Sequence, residues 1–285
     1  MNIVFSIGKL EIHMNNALMR QKFANLIATL APTDGAHPTG LGKVVAWRAS
    51  KVVPRKPIVY EPGIVFMAQG VKRGFMAGSS FEYSEDTYLV LSSAVPWEVE
   101  VVEATEEVPI LSLFIPINSK VIGQVAARMD QQSSVEPREQ ISHLPKAIIA
   151  TDLDHQMRDA VVRLAEALLD PLDTEILGPL IIEEIIYRIL SGPQACSMRC
   201  LTGHDTVAGK INRVLHGINS NPAKNLTVSE LAEEAGMSVS AFHAAFKETA
   251  TMAPIQYQKA IRLHRAQTLM SFDGLRVSEA AFEVG

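Results

Sequence analysis

The chain has 285 residues, 47% of them hydrophobic, and a formal net charge of −5, room for two or three domains with full apolar cores. It carries no run of about 18 apolar residues and no signal-peptide pattern at its amino terminus, which argues against a membrane-spanning or exported protein. Its two cysteines are too few for the disulfide framework of a secreted domain, so a reducing cytoplasm is the expected setting.

Met14 to Leu30 reads as a leading helix, closed by Pro32 and Gly35. From about residue 43 to 117 the period becomes that of strands. Trp97, Val99 and Val101 alternate with Glu98 and Glu100, which gives one buried and one wet face. Short apolar runs such as Ile64-Val-Phe-Met67 and Leu89-Val-Leu91 lie between turn signals at Pro62-Gly63, Gly70, Gly78-Ser-Ser80 and Ser84-Glu-Asp86. Many short strands with such turns favour a small barrel or sandwich.

Helical spacing returns near residue 119. Met157, Val161, Leu164 and Leu168 form one stripe; Leu177, Leu180, Ile181, Ile185 and Ile189 form another, and Asp170-Pro-Leu-Asp173 separates them. The pair reads as a helical hairpin on the barrel, part of whose surface is a candidate dimer contact. Ser191 to Asp205, with Gly192-Pro193 and Gly203, reads as a linker.

A repeat marks the last third. Val228-Ser-Glu-Leu-Ala-Glu-Glu-Ala-Gly236 recurs as Val277-Ser-Glu-Ala-Ala-Phe-Glu-Val-Gly285, with six of nine positions identical. Such a repeat points to a duplicated structural unit and not to catalysis. The first copy reads as a helix-turn-helix. Thr227 with Glu230 makes a capping box, and Leu231, Ala232 and Ala235 form a narrow apolar stripe. Gly236 supplies the left-handed turn conformation, and Ser238 can cap a second helix that buries Phe242, Ala245 and Phe246. The second copy stops at Gly285, which aligns with Gly236, so its second helix is expected to be missing.

Charge is distributed unevenly. Residues 204–285 carry eight basic and eight acidic side chains, so the whole of the −5 lies upstream. Lys247, Lys259, Arg262 and Arg265 cluster in and after the second helix of the helix-turn-helix, whereas Glu230, Glu233 and Glu234 crowd the first. Local sign governs phosphate contacts.

The chemical alternatives are weak. A catalytic metal in a barrel needs two histidines and a carboxylate on facing strands, yet no histidine lies between His37 and His143. Cys196, Cys200 and His204 could present three ligands if the linker were helical, but a zinc site needs a fourth partner or an open catalytic position. Neither a metal nor a cofactor is expected. The strand region instead offers aromatic surface, and Trp47, Phe66, Phe75, Tyr83, Tyr88 and Trp97 are the candidate lining of an apolar effector pocket.

Phe242-His-Ala-Ala-Phe-Lys247, then Thr249, Met252 and Pro254, then Gln256-Tyr-Gln-Lys259, Arg262-Leu263, Ala266 and Leu269-Met270 resemble the AraC/XylS family of bacterial transcription regulators. Upstream, Ala31-Pro-Thr-Asp-Gly35, His37-Pro-Thr39, Tyr60-Glu-Pro62, Gln69-Gly70 with Lys72-Arg73, Phe81-Glu-Tyr83 and Tyr88-Leu-Val-Leu91 resemble the sensor domain of one branch of it. The resemblance implies an α+β protein: a cupin-like small β-barrel with flanking helices (1–195), a linker (191–205), and an all-α double helix-turn-helix domain (206–285) whose second unit is incomplete.

In that family base edges are reached from the exposed face of the second helix of the first unit, here Ser240, His243 and Ala244. Relatives often carry an arginine where Ala244 stands. Lys247 and Arg262 are expected on phosphates, with Ser238, Gln256 and Lys259 completing the DNA-binding set. The resemblance implies double-stranded DNA, a small-molecule effector, a second copy of the chain and RNA polymerase as partners, and no enzymatic activity. Two alternatives are a truncated sensor or dimerisation partner impaired in DNA binding, and a cupin-like enzyme, which the histidine-free strands disfavour.

Overall fold

The computed structural model describes residues 2–76, 78–132, 147–199, 201–202, 206–272 and 274–285. Cys200 and His204, two of the three candidate metal ligands, lie outside these residues. Helix α1 (Asn2–Leu30) leads into β1 (Gly35–Pro38), β2 (Val45–Ala49), β3 (Val53–Val59), β4 (Gly63–Gln69) and β5 (Lys72–Met76). Then come β6 (Ser79–Tyr83), β7 (Thr87–Leu91), β8 (Pro96–Val101) and β9 (Ile110–Pro116). Helix α2 (Ser119–Gln132), β10 (Ile148–Asp152), α3 (His155–Ala167), α4 (Pro171–Ser191) and α5 (Ala195–Arg199) complete the first part. The remainder is helical: α6 (Val207–Ser220), α7 (Val228–Glu234), α8 (Val239–Ala250), α9 (Pro254–Phe272) and α10 (Val277–Val284).

Two antiparallel sheets form the barrel, one ordered β1-β2-β9-β4-β7-β10 and the other β3-β8-β5-β6. Strand alternation sends side chains to two different cores. On the outer face of the six-stranded sheet, Ala46, Ile64, Phe66, Tyr88, Val90 and Leu113 pack under helices that contribute Phe23, Ile27, Met157, Val161, Ile185 and Ile189. On its inner face, Val65, Met67, Leu89 and Leu91 meet Tyr83, Trp97, Val99 and Val101 of the other sheet. Because β4 is covered on both sides, six consecutive residues from Gly63 to Ala68 are buried, and its sequence is an apolar run without alternation.

The outer face of the four-stranded sheet is wet. There Arg73 pairs with Glu82 at 2.9 Å and Glu100 at 2.8 Å, and Arg55 pairs with Glu98. The alternation of Trp97, Val99 and Val101 with two glutamates is thus realised as an inner face and an ion-paired outer one.

Four local expectations need correcting. The leading helix reaches back to Asn2, beyond Met14, since that stretch contains no proline. Strand β10, paired with β7, interrupts the region read as purely helical; β1, paired with β2, precedes the strand region. Both are short strands at the sheet's edges, too brief for periodicity to reveal. In the second helical stripe, Ile181, Ile185 and Ile189 are buried while Leu177 and Leu180 are exposed. Asp170 starts α4 by accepting the Leu172 and Asp173 amides, as its place before Pro171 suggests. Among the described residues no helix is long and apolar enough to cross a membrane.

Candidate functional site

The helix-turn-helix forms from local signals. Thr227 Oγ1 accepts the Glu230 amide at 3.3 Å, and the Glu230 carboxylate accepts the Thr227 amide at 2.7 Å. That backbone hydrogen bond holds the Glu230 carboxyl below the usual carboxylate range. Gly236 takes φ +62° in the turn, and Ser238 Oγ accepts the Ala241 amide to start α8. Helix α8 buries Phe242, Ala245, Phe246, Thr249 and Ala250. Phe246 meets Tyr257 of α9 edge-on at 5.5 Å between ring centroids, which fixes the helix on its support.

The opposite face of α8 is open: Ser240, His243, Ala244 and Lys247 are all exposed, and so is Ser238 at its start. Gln256 and Lys259 on α9 are exposed as well. Arg262 is engaged within the protein. Its guanidinium donates to Pro222 O at 2.8 Å and to Asn225 Oδ1 at 3.2 Å, clamping the loop between α6 and α7.

The second repeat also forms a helix. The Glu279 carboxylate accepts the Arg276 amide at 2.8 Å, and Ala280 and Val284 are buried with Leu269 of α9. Phe282 is 87% exposed. The turn glycines correspond, Gly285 at φ +85° and Gly236 at φ +62°.

The six aromatic candidates do not share one chamber. Tyr83 and Trp97 face the barrel interior, with Trp47 packed against them in the same core. Phe66 and Tyr88 stack on each other at 5.5 Å on the other side of the sheet, beneath the helices. Phe75 points to the wet face, where the Arg55 guanidinium lies 3.9 Å from its ring centroid. Each displacement follows from strand parity, which reading the residues as an aromatic group ignores.

What aromatic counting missed is Lys72. It shares the inward parity of Gly74 on β5 and is 4% exposed. Its Nζ lies 3.8 Å from the Trp47 ring centroid, and burial, aided by repulsion from Lys56, lowers its pKa to about 7. Among the described residues no carboxylate forms an ion pair with it. The Tyr83 hydroxyl and Trp97 Nε1 are buried nearby in the same core without hydrogen-bond partners among the described residues.

Barrel and helix-turn-helix are joined along α6 and α9. The Tyr257 hydroxyl donates to Ala94 O, which also accepts from Asn219 at 3.3 Å, and Ser93 donates to Asn212. The Val59 amide donates to His264 Nε2 at 3.3 Å. Two surface cavities are found elsewhere, one beside Arg163, Leu177 and Glu184 and one beside Leu275 and Phe282. Among the described residues no group of three His, Cys, Asp or Glu side chains could hold a metal ion.

A two-sheet barrel followed by a helix-turn-helix with an open face on its second helix is the architecture of a DNA-binding transcription regulator with an N-terminal module. The AraC-type transcriptional regulator N-terminus family matches residues 41–197, and a helix-turn-helix domain family matches residues 231–285. The chain therefore belongs to the AraC-type transcriptional regulators.

The fold is similar to that of wild-type ToxT from Vibrio cholerae strain SCE256 crystallised with an unsaturated fatty acid, at 12% identity and a TM-score of 0.54 over 85% of each chain. The AraC-like transcriptional activator CuxR is also similar, at 13% identity over 86% of this chain and 83% of its own, with a TM-score of 0.27. No curated protein sequence matches.

Proposed function

We propose that this regulator reads specific DNA sequences through α8, responds to a small-molecule effector in the barrel, and works as a homodimer. The observation that carries the reading is the division of α8 into a buried face of Phe242, Ala245 and Phe246 and an open face of Ser240, His243, Ala244 and Lys247. His243 has the reach and hydrogen-bonding groups to contact a base edge in the major groove, whereas Lys247 suits a phosphate, which positions without specifying.

For the effector, the support is the barrel interior and its junction with α6 and α9. A ligand that favours one arrangement of the loop around Ala94 would bias the position of the DNA-binding helices, provided its affinity differs between the two arrangements. The fatty acid in the ToxT crystal structure is a precedent for a small molecule on this fold. For the dimer, the support is the exposed apolar row on α4 formed by Leu172, Ile176 and Leu180. We assign no catalytic role and a cytoplasmic site of action.

Selection from a random DNA pool with the purified chain tests the central point. Recovery of a defined motif, narrowed or lost in His243→Ala, is the expected result. Equal retention of all sequences by the unaltered protein would overturn sequence-specific reading. A thermal-shift screen against small molecules tests the effector, because a ligand bound only by the folded state raises the melting temperature by mass action.

A further inference from the structure

Among the described residues, several donors inside the barrel have nothing to accept from them. Lys72 and Tyr83 stand directly opposite each other on β5 and β6, so their side chains share the inner face. Lys72 crosses the interior to place its ammonium on the Trp47 ring of the other sheet. Trp47 in turn lies in register with Ser112 on β9, and Ser112 with Met67 on β4, a row of mostly apolar wall beside the charge. The Tyr83 hydroxyl and Trp97 Nε1 lie in the same core as donors without partners among the described residues.

A lysine in such a place is costly unless something neutralises it. Buried charges in folded proteins are ordinarily paired, and this ammonium rests on an aromatic face, which offers attraction without a hydrogen bond. Substituting methionine would fill the same volume without that cost. The neighbouring Lys56 adds a second positive charge and lowers the Lys72 pKa further. A site with two cations, two uncharged donors and apolar walls is complementary to an anion carried on an apolar body.

We propose that the barrel binds an apolar organic carboxylate, with its headgroup on the Lys72 ammonium and its body along Trp47 and Met67. This rests on the reading that the barrel houses the effector, and narrows it to a chemical class. Tyr83 and Trp97 can donate to the carboxylate oxygens, and the exposed Lys56 adds long-range attraction.

Both tryptophans of the chain, Trp47 and Trp97, belong to this core, so intrinsic fluorescence reports on the site directly. The purified full chain is titrated with octanoate and benzoate and, in parallel, with octanamide and benzamide. The carboxylates are expected to shift the emission saturably and to bind at least tenfold more tightly than the matching amides. In Lys72→Met the carboxylate affinity is expected to fall to that of the amide, with amide binding retained and the melting temperature equal or higher. Equal affinity for acid and amide, or an unchanged preference in Lys72→Met, overturns the headgroup assignment and leaves an effector barrel standing. No saturable response to either series up to millimolar concentration overturns both readings.

Discussion

His264 of α9 accepts the backbone amide of Val59, at the end of β3, through its Nε2 at 3.3 Å. The bond ties the long helix α9 to the four-stranded sheet of the barrel and requires an unprotonated Nε2. Burial lowers the His264 pKa below its ordinary value of 6.5, so the folded state resists protonation while the unfolded chain does not. Stability from this group is complete above about pH 6.5 and is lost as pH falls towards the folded value. Thermal melts from pH 7.5 to 5 are expected to drop more steeply for the unaltered protein than for His264→Gln, whose side-chain carbonyl can accept the same amide without titrating. Parallel pH profiles would remove His264 from the junction.

The open face of α8 separates two kinds of contact. His243→Ala is expected to cost about 1–3 kcal/mol on the selected motif and little on random DNA, the loss typical of one good base contact. Lys247→Ala should weaken all sequences alike and lower the salt slope by about one. Binding isotherms on motif and random duplexes at three salt concentrations distinguish the two. Equal loss on both duplexes for His243→Ala would reassign it to the backbone.

The helix-turn-helix was legible because its signals are local. Thr227, Glu230, Gly236 and Ser238 each act within a few residues, and each appears in the structure as a cap or a turn. The general character of the barrel was legible from the alternation around Trp97. Its interior was not, because residue type cannot say which face of a strand meets which layer. Phe66 and Tyr88 satisfy every criterion for a pocket aromatic, yet face helices that lie far away in sequence. A lysine is ordinarily a surface residue, and only the register that sets Lys72 opposite Tyr83 places it inside. The role of Arg262 depends on a loop nearly forty residues upstream, a contact no local pattern encodes.

A buried lysine leaves a signature in stability. The Lys72 pKa falls from 10.5 to about 7, so between those values the unfolded state holds more protons and stability rises with pH. Below about pH 7 both states are protonated and the cost of burying the charge is at its greatest. Lys72→Met removes it. The variant is expected to melt above the unaltered protein at pH 6, by a margin that shrinks steadily towards pH 9.5. The neighbouring tyrosines do not disturb this window, because burial raises Tyr60 to about 12 and also raises Tyr83, while Lys56 faces Lys72 from an exposed position on β3. A margin independent of pH would show that the ammonium is solvated.

Helix α4 carries the remaining prediction. Its inner side buries Ile181, Ile185 and Ile189, while Leu172, Ile176 and Leu180 at four-residue spacing are 66%, 56% and 60% exposed. Residues so spaced line one face of a helix, and a self-complementary row of this kind suits a two-fold contact between copies, where the same patch is buried on both. A charge in the middle of it should break the contact without harming the fold, since these side chains are outside the protomer's core. Ile176→Glu with Leu180→Glu is expected to convert a dimer to a monomer in sedimentation velocity at micromolar concentration, and to leave the low-concentration melting temperature within a few degrees. DNA affinity should fall with it, because a dimer engages two half-sites and gains from their proximity. A variant that remains dimeric would place the contact elsewhere on the surface, and a monomeric unaltered protein would remove the dimer from the proposal altogether.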